Sequence, residues 1–335
     1  MANRWFVITT INSPTAAVQA ISDRCRDGWS GVVVGDTKTP ADWECKPMVY
    51  LSVDRQKELF PQFADLVPYR HYCRKNMGYL YAIQQGAEVI FDTDDDNIPY
   101  EGLPLAVAKE VSGRLLSGPG WVNVYKHFTD NGLVWPRGLP LDKIHCPGII
   151  GPLQQAVDCP VQQYLADRDP DVDAIFRLLD QKEVFFDRAA LPVVLNSDAW
   201  VPFNSQATLF FKEAFPLLYL PCHVSFRMTD IWRSYVAQTA LSCRGLSVAF
   251  RPPAVEQLRN THNLMRDFED EVVGYLHNDA IMQLLKRTAI GIAGSNPLPD
   301  VARTLWGALL EAGILESREW PIMEQWFREL NRSKA

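Results

Sequence analysis

Val89-Ile90-Phe91 runs directly into Asp92-Thr93-Asp94-Asp95-Asp96-Asn97, so a short apolar stretch delivers four carboxylates within five residues. This restricts what the chain can build. The apolar residues call for burial, whereas carboxylates packed this densely repel one another and lose hydration when partly buried. A cation relieves both costs. Hard divalent ions such as Mg²⁺ or Mn²⁺ favour an oxygen-only ligand set. Such an ion also holds a diphosphate, and the run therefore points towards nucleotide-phosphate chemistry.

The flanking pattern places this run at the end of a strand. Trp5–Thr10, Gly31–Asp36 and Met48–Ser52 read as earlier strands, and Asn12 or Ser13 reads as a helix cap before Pro14. Arg74–Ile83 reads as a helix running to Gly86, and Val89–Phe91 as the strand it feeds. Alternating strands and helices predict an α/β fold with a mostly parallel sheet. There is no GxGxxG and no GxxxxGK[ST], which weakens the oxidoreductase and ATPase readings. Beyond residue 263 the pattern becomes helical, over Leu264–Leu276, Ala280–Ala289, Pro299–Ala312 and Trp320–Leu330.

Composition sets bounds. At 335 residues, 47% hydrophobic and 22% charged, the chain is long and apolar enough for a sizeable core. The net charge of -7 and the lack of a long basic stripe argue against nucleic-acid binding. Seven scattered cysteines with no CxxC or zinc spacing predict buried thiols in a reducing compartment. No apolar run approaches membrane-spanning length. The expectation is a cytoplasmic protein, with peripheral attachment to a membrane left open.

Geometry joins the acids to Arg74 and Lys75. A helix over 74–85 is about 18 Å long, and a strand over 88–93 covers about 20 Å. The helix runs antiparallel to the strand it feeds, so its start returns to the edge that carries Asp94–Asp96. Two cations and a helix N-terminus there suit phosphate oxygens. The bland reading is a salt-bridge cluster at a helix cap. Asp36 ends a strand at the same edge, with Lys38 two residues on; it reads either as a contact to base or ribose or as an Asx-turn. Asp230 reads as a helix cap or as a general base, with Arg233 one turn further. Asp169, Asp171 and Asp173 form another acidic group, which reads either as helix capping with a first-turn acid or as a contact to sugar hydroxyls. His262 beside Asn263 reads as a third metal ligand or phosphate contact against a structural histidine.

Assembled in order, these pieces resemble the STELLO-type glycosyltransferase-like family. The pieces are Val33–Asp36 with Lys38-Thr39-Pro40, Arg74–Ile83 followed by Thr93–Asn97, Trp135-Pro136-Arg137-Gly138, Asp169–Arg177, Asn204-Ser205-Gln206, Ser225–Arg227 with Thr229–Arg233, and His262-Asn263. The resemblance spans roughly residues 30 to 275 and leaves the C-terminal helices uncovered. The order is also similar to that of the broader GT-A glycosyltransferases, which place a nucleotide-contacting Asp, an Arg-Asn-x-Gly helix start, a DxD motif and a later acidic base in sequence. Two departures stand out: Lys75 is inserted between the Arg and the Asn, and Asp92 is an extra acid. Eukaryotic members of the family are membrane-anchored; the expectation here is a chain without an anchor, and their cellular role is not carried over.

The resemblance implies a GT-A (Rossmann-like) catalytic domain over 1–262, with a nucleotide-binding half to about 115 and an acceptor half from about 116. A helical region over 263–335 would pack on it. It implies a metal-dependent glycosyltransferase that moves a sugar from a nucleotide-sugar, a UDP-sugar by preference, to a glycan or other hydroxyl acceptor. Asp94, Asp96 and His262 would hold Mn²⁺ or Mg²⁺. Asp36, Lys38, Arg74, Lys75, Asp95, Asn204 and Arg233 would bind the donor, and Asp230 would serve as base if the anomeric centre inverts. The alternatives are a sugar nucleotidyltransferase and an inactive binding or scaffold protein of the same fold.

Overall fold

The computed structural model describes residues 3–26, 28–103, 107–259 and 263–332. The strands, in chain order, are β1 (Arg4–Thr9), β2 (Trp29–Val34), β3 (Val49–Leu51), β4 (Val89–Thr93), β5 (Asn97–Pro99), β6 (Glu110–Ser117), β7 (Gly120–Trp121), β8 (Ile149–Asp158), β9 (Val161–Asp167), β10 (Val193–Leu195), β11 (Ala199–Trp200), β12 (Ala207–Phe211) and β13 (Val248–Gln257). Eleven of them form one sheet, ordered β3-β2-β1-β4-β12-β9-β13-β10-β6-β8, with β5 paired to β13. The helices are α1 (Ala16–Ser22), α2 (Val53–Leu59), α3 (Pro61–Leu66), α4 (Asn76–Gln84), α5 (Ala174–Leu179), α6 (Thr229–Cys243), α7 (Leu264–Ile290), α8 (Leu298–Glu311) and α9 (Glu319–Arg332).

The first strands pair in parallel through β3-β2-β1-β4. Side chains alternate between two cores, as a period of two requires. Trp5, Val7, Val32, Val34 and Ile90 face one cluster, whereas Phe6, Ile8, Val33 and Phe91 face the other. Helix α4 packs on β1 and β2, and Val18 and Ile21 of α1 pack with Phe6 and Ile8 on the opposite face. Chain order reverses direction at β1 and β4, so the loops after these two strands flank the crevice where open α/β sheets take ligands.

The sheet is mixed rather than mostly parallel. β12 is antiparallel to both β4 and β9, β10 is antiparallel to β13, and β6 to β8. A parallel neighbour needs a long crossover, whereas an antiparallel one does not. β12 follows β11 after a short irregular segment, and so enters beside β4 running the other way. Its N-terminal side therefore lies at the C-terminal edge of β4, where Thr93 pairs with Ala207. This brings residues 204–206 to the carboxylate loop.

Two helix expectations also change. The segment expected to be one helix from residue 74 begins as a 3-10 turn over Tyr72–Lys75, which leads into α4. The two helices expected over 264–289 are one, α7, because nothing between 276 and 280 breaks it. Thr15, not Asn12 or Ser13, caps α1, accepting from the amide of Val18. Helices α7 to α9 contribute Ile281, Leu285, Leu305, Trp306 and Trp326 to the same cluster that holds Val7 and Val34. Among the described residues, no helix is long and apolar enough to cross a membrane.

Gly78 sets how closely α4 approaches the sheet. A Cβ there would lie 2.7 Å from both Val7 Cγ1 and Val34 Cγ2. Both valines are fully buried and cannot retreat. Gly78→Ala is expected to lower unfolding free energy by about 1–3 kcal/mol through overpacking, measured by denaturant titration; an unchanged midpoint would contradict this close fit.

Candidate active site

Parallel strand ends and the antiparallel entry of β12 converge on one cleft of about 480 Å³. Its lining includes Asp36, Lys38, Asp94, Asp95, Asp96, Asn204 and Asp230, seven of the residues expected to hold the metal, bind the donor or act as base. It also includes Thr10, Asn12, Arg70, His71, Tyr72, Arg137, Asp171, Arg227, Gln257 and Arg259. Arg74, Lys75 and Arg233 do not line it, and His262 lies outside the described residues.

The carboxylate loop is held at both ends. Asp95 Oδ2 accepts from Thr10 Oγ1 at 2.5 Å and from Asn12 Nδ2 at 3.0 Å, and the Asp95 carbonyl accepts from Thr15. These bonds tie the loop after β4 to the loop after β1. Asp94 Oδ1 accepts from Tyr72 Oη at 2.6 Å and from Lys75 Nζ at 3.0 Å. Asp96 Oδ2 accepts from Gln257 Nε2 at 3.0 Å, while its buried Oδ1 has no hydrogen-bond partner among the described residues. Burial first, and then Asp94 beside it, pushes the Asp96 carboxyl up to about 7. Burial likewise raises that of Asp94, against the pull of Lys75.

A buried oxygen without a partner among the described residues, beside two carboxylates that burial destabilises, forms an oxygen donor set that a cation would stabilise. Asp94 and Asp96 therefore suit a hard divalent ion. Among the described residues, no group of three or more His, Cys, Asp or Glu side chains is arranged to hold a metal by itself. The remaining ligands would come from water and a bound phosphate, the usual arrangement for Mg²⁺.

The three cations absent from the lining lie beneath it. Lys75 is fully buried and reaches Asp92 Oδ1 at 2.7 Å, Asp94 Oδ1 at 3.0 Å and the Thr93 carbonyl at 2.6 Å. Arg233 is fully buried too, 3.1 Å from Asp92 Oδ2. Arg74 points away from the cleft: its guanidinium donates to Gln56 Oε1 and the Val67 carbonyl and stacks on Tyr69. All three make contacts within the protein, and the structure brings none of them to the cleft lining. The cause is the 3-10 turn, which aims the side chains of adjacent residues 74 and 75 at different elements.

On the facing wall, Arg137 joins two acids. It grips Asp171 through Nε at 2.7 Å and Nη2 at 2.8 Å, and Asp230 through both Nη atoms at 3.1 Å. The Ser205 amide adds a bond to Asp230 Oδ2. Burial alone would raise the Asp230 carboxyl, but Arg137, Arg233 and the Ser205 amide outweigh it and hold the group below its usual value. Asp230 does not cap α6, whose N-cap residue is Met228. Gly138, with φ of 92°, is required behind Arg137, because a Cβ there would strike Ile231 and Tyr235 of α6.

Other sequence candidates have plain structural uses. Asp36 Oδ1 accepts from the Thr37 amide at 2.6 Å, one residue on rather than the two of an Asx-turn, and Oδ2 from the His71 amide at 3.3 Å; the turn itself is closed by the Thr39 amide on the Asp36 carbonyl at 3.0 Å, and the residue borders the cleft. Asp173 caps α5, and Asp169 pairs with Arg177. The missed residues carried faint signals. Tyr72 precedes Lys75 by three positions, one helical turn, and Arg137 stands before a glycine in Trp135-Pro136-Arg137-Gly138. Gln257 and Arg259, at and just beyond the end of β13, carried none.

Two outcomes follow from these burials. Arg137→Ala leaves two buried carboxylates without their cation and is expected to cost about 3–5 kcal/mol, read by chemical denaturation; a loss under 1 kcal/mol would contradict the pairing. Burial pushes Asp173 up to about 7, so the folded state holds a proton that the unfolded chain releases near 4. Stability then falls as pH rises from about 4 to 7. Asp173→Asn should flatten that slope in unfolding measured across this range.

Residues 227–334 match the family model described as STELLO glycosyltransferases. Over 284 residues the chain is 32% identical to "Probable glycosyltransferase STELLO1" of Arabidopsis thaliana. Over 282 residues it is 31% identical to "Probable glycosyltransferase STELLO2" of the same plant. Each match covers 76% of this chain but only 35% of the relative, so the chain spans about a third of the length of these curated relatives. This chain therefore carries a STELLO glycosyltransferase family domain, set on a mixed α/β sheet with flanking helices.

Proposed function

We propose that the cleft transfers a glycosyl group from a nucleotide-activated sugar to a hydroxyl acceptor, on a GT-A-type fold and with a divalent cation. The observation that carries this reading is the gathering of Asp94, Asp95 and Asp96 with Asp36 and Lys38 on one side of a cleft whose other side holds Asp230. The family match supports the same class of reaction. A UDP-sugar is the first donor to try, with a glycan among the acceptors.

Mn²⁺ or Mg²⁺, when bound with the donor, supplies charge neutralisation to the leaving diphosphate. Tyr72 and Lys75 fix one oxygen of Asp94 and leave the other for that ion. Gln257 does the same for Asp96. Asp95 keeps its loop against β1 and has one oxygen left for the donor's hydroxyls. Lys38 and Arg70, both exposed on the cleft rim, offer charge to phosphate.

In an inverting transfer, Asp230 takes the acceptor's proton. As held, both of its oxygens are engaged by Arg137 and its lowered affinity for protons makes it a weak base. The assignment requires Arg137 to shift onto Asp171 alone when the acceptor enters.

A thermal-shift screen of UDP, GDP and CMP, with and without Mn²⁺, tests the reading. Ligand at 100 times its Kd raises stability by about 2.7 kcal/mol, and the rise should need Mn²⁺. No shift with any of them would sink the proposal and favour a scaffold. Asp94→Asn and Asp96→Asn should each lower donor turnover by about 100-fold or more, the scale of losing a charge-stabilising group. Full turnover in Asp230→Asn would remove the base and leave the metal–diphosphate assignment standing.

A further inference from the structure

Resting on that reading, we propose that Asp92 is a positioning residue that sets the spacing between the donor-side carboxylates and the acceptor-side wall. Asp92 is fully buried and does not line the cleft. It lies at the middle of a chain of alternating charge that runs under the cleft floor. Asp94 Oδ1 meets Lys75 Nζ at 3.0 Å, Lys75 meets Asp92 Oδ1 at 2.7 Å, and Asp92 Oδ2 meets Arg233 Nη1 at 3.1 Å. Arg233 Nη2 then donates to Ser205 Oγ at 2.9 Å, and the Ser205 amide donates to Asp230 Oδ2 at 3.1 Å. Arg137 and Asp171 extend the chain across the acceptor wall.

Each of the two cations serves two walls at once. Lys75 divides its charge between Asp92 and Asp94. Without the Asp92 charge it would be drawn onto Asp94 alone and would compete there with an incoming divalent cation. Arg233 belongs to α6 on the acceptor side yet is anchored on β4 of the donor side. Its guanidinium is a planar fork that reaches Asp92 and Ser205 together, which a point charge does not reproduce. Buried ion pairs are poor sources of net stability, and well-packed apolar residues often do as well. Three buried charged side chains in one row therefore point to fixed geometry as what they provide.

The test compares wild type, Asp92→Asn and Arg233→Lys, each first checked by thermal melting. Calorimetry with Mn²⁺ and UDP as probes should show about tenfold weaker binding in both variants. Amide hydrogen exchange over residues 93–97 should quicken several-fold in Arg233→Lys, although position 233 lies on the other wall. Wild-type exchange and wild-type affinity in a folded Arg233→Lys protein would overturn the proposal. Failure of both variants to fold would overturn it too, making the row a folding element alone. If wild type binds no nucleoside diphosphate with Mn²⁺, the glycosyltransferase reading fails, while the exchange comparison still decides the spacing.

Discussion

The Asp92 carboxylate, closed between Lys75 and Arg233, is the interaction on which the rest of the site depends. Desolvating three charges is expensive, and the expense is met only if every charge keeps opposite neighbours at short range. That condition fixes three elements at once. The 3-10 turn must end with Lys75 above β4, β4 must present Asp92 towards that side, and α6 must bring Arg233 down onto it. Once they meet, the loop after β4 has one place to go, and Asp94 inherits the remaining bond of Lys75.

Two glycines permit this approach. Gly78 lets α4 sit against Val7 and Val34, which lowers the turn before it onto the strand ends. Gly138 lets the chain bearing Arg137 press against α6, and its carbonyl accepts from Tyr235 and Asn278. The antiparallel strand β12 completes the arrangement. Its leading residues Asn204, Ser205 and Gln206 reach the edge where β4 ends, and the Gln206 carbonyl accepts from both Thr93 and Asn97. A parallel strand in the same position would have put its other end there.

Much of this was legible in residues 89–97, because an apolar strand that ends in acids has few places to lie. The helix feeding it was legible too, and so was the shared edge. What could not be read was direction. Arg74 and Lys75 are adjacent cations, and a short 3-10 turn sends one to Gln56 and the other to Asp92. Asp92 read only as an extra acid beside the motif, because packing alone shows that its neighbours are buried cations. The sheet's mixed order was hidden for a related reason. Residues 210–220 are mostly apolar in sequence, yet only Phe210 and Phe211 are strand, at the end of β12, and the chain then turns into a 3-10 segment over Lys212–Leu218. The partner of Asp230 was equally hidden, since Arg137 lies 93 residues away.

The two walls of the cleft differ in how their charges are settled. On the acceptor side the acids are already answered: Arg137 holds Asp171 and Asp230, Arg227 holds Glu271, and Arg259 meets Asp267. On the strand-end side, Lys75 pairs with Asp94 but not with Asp95 or Asp96, and among the described residues one oxygen of Asp96 has no hydrogen-bond partner. A cation entering the cleft is drawn to the side with unanswered charge. Its accompanying anion finds Lys38 and Arg70 on the rim of the same cleft. On the proposed reading, this asymmetry suits the strand-end side to a cation and its accompanying anion, and the self-neutralised wall to a group that carries little charge, as a sugar hydroxyl does.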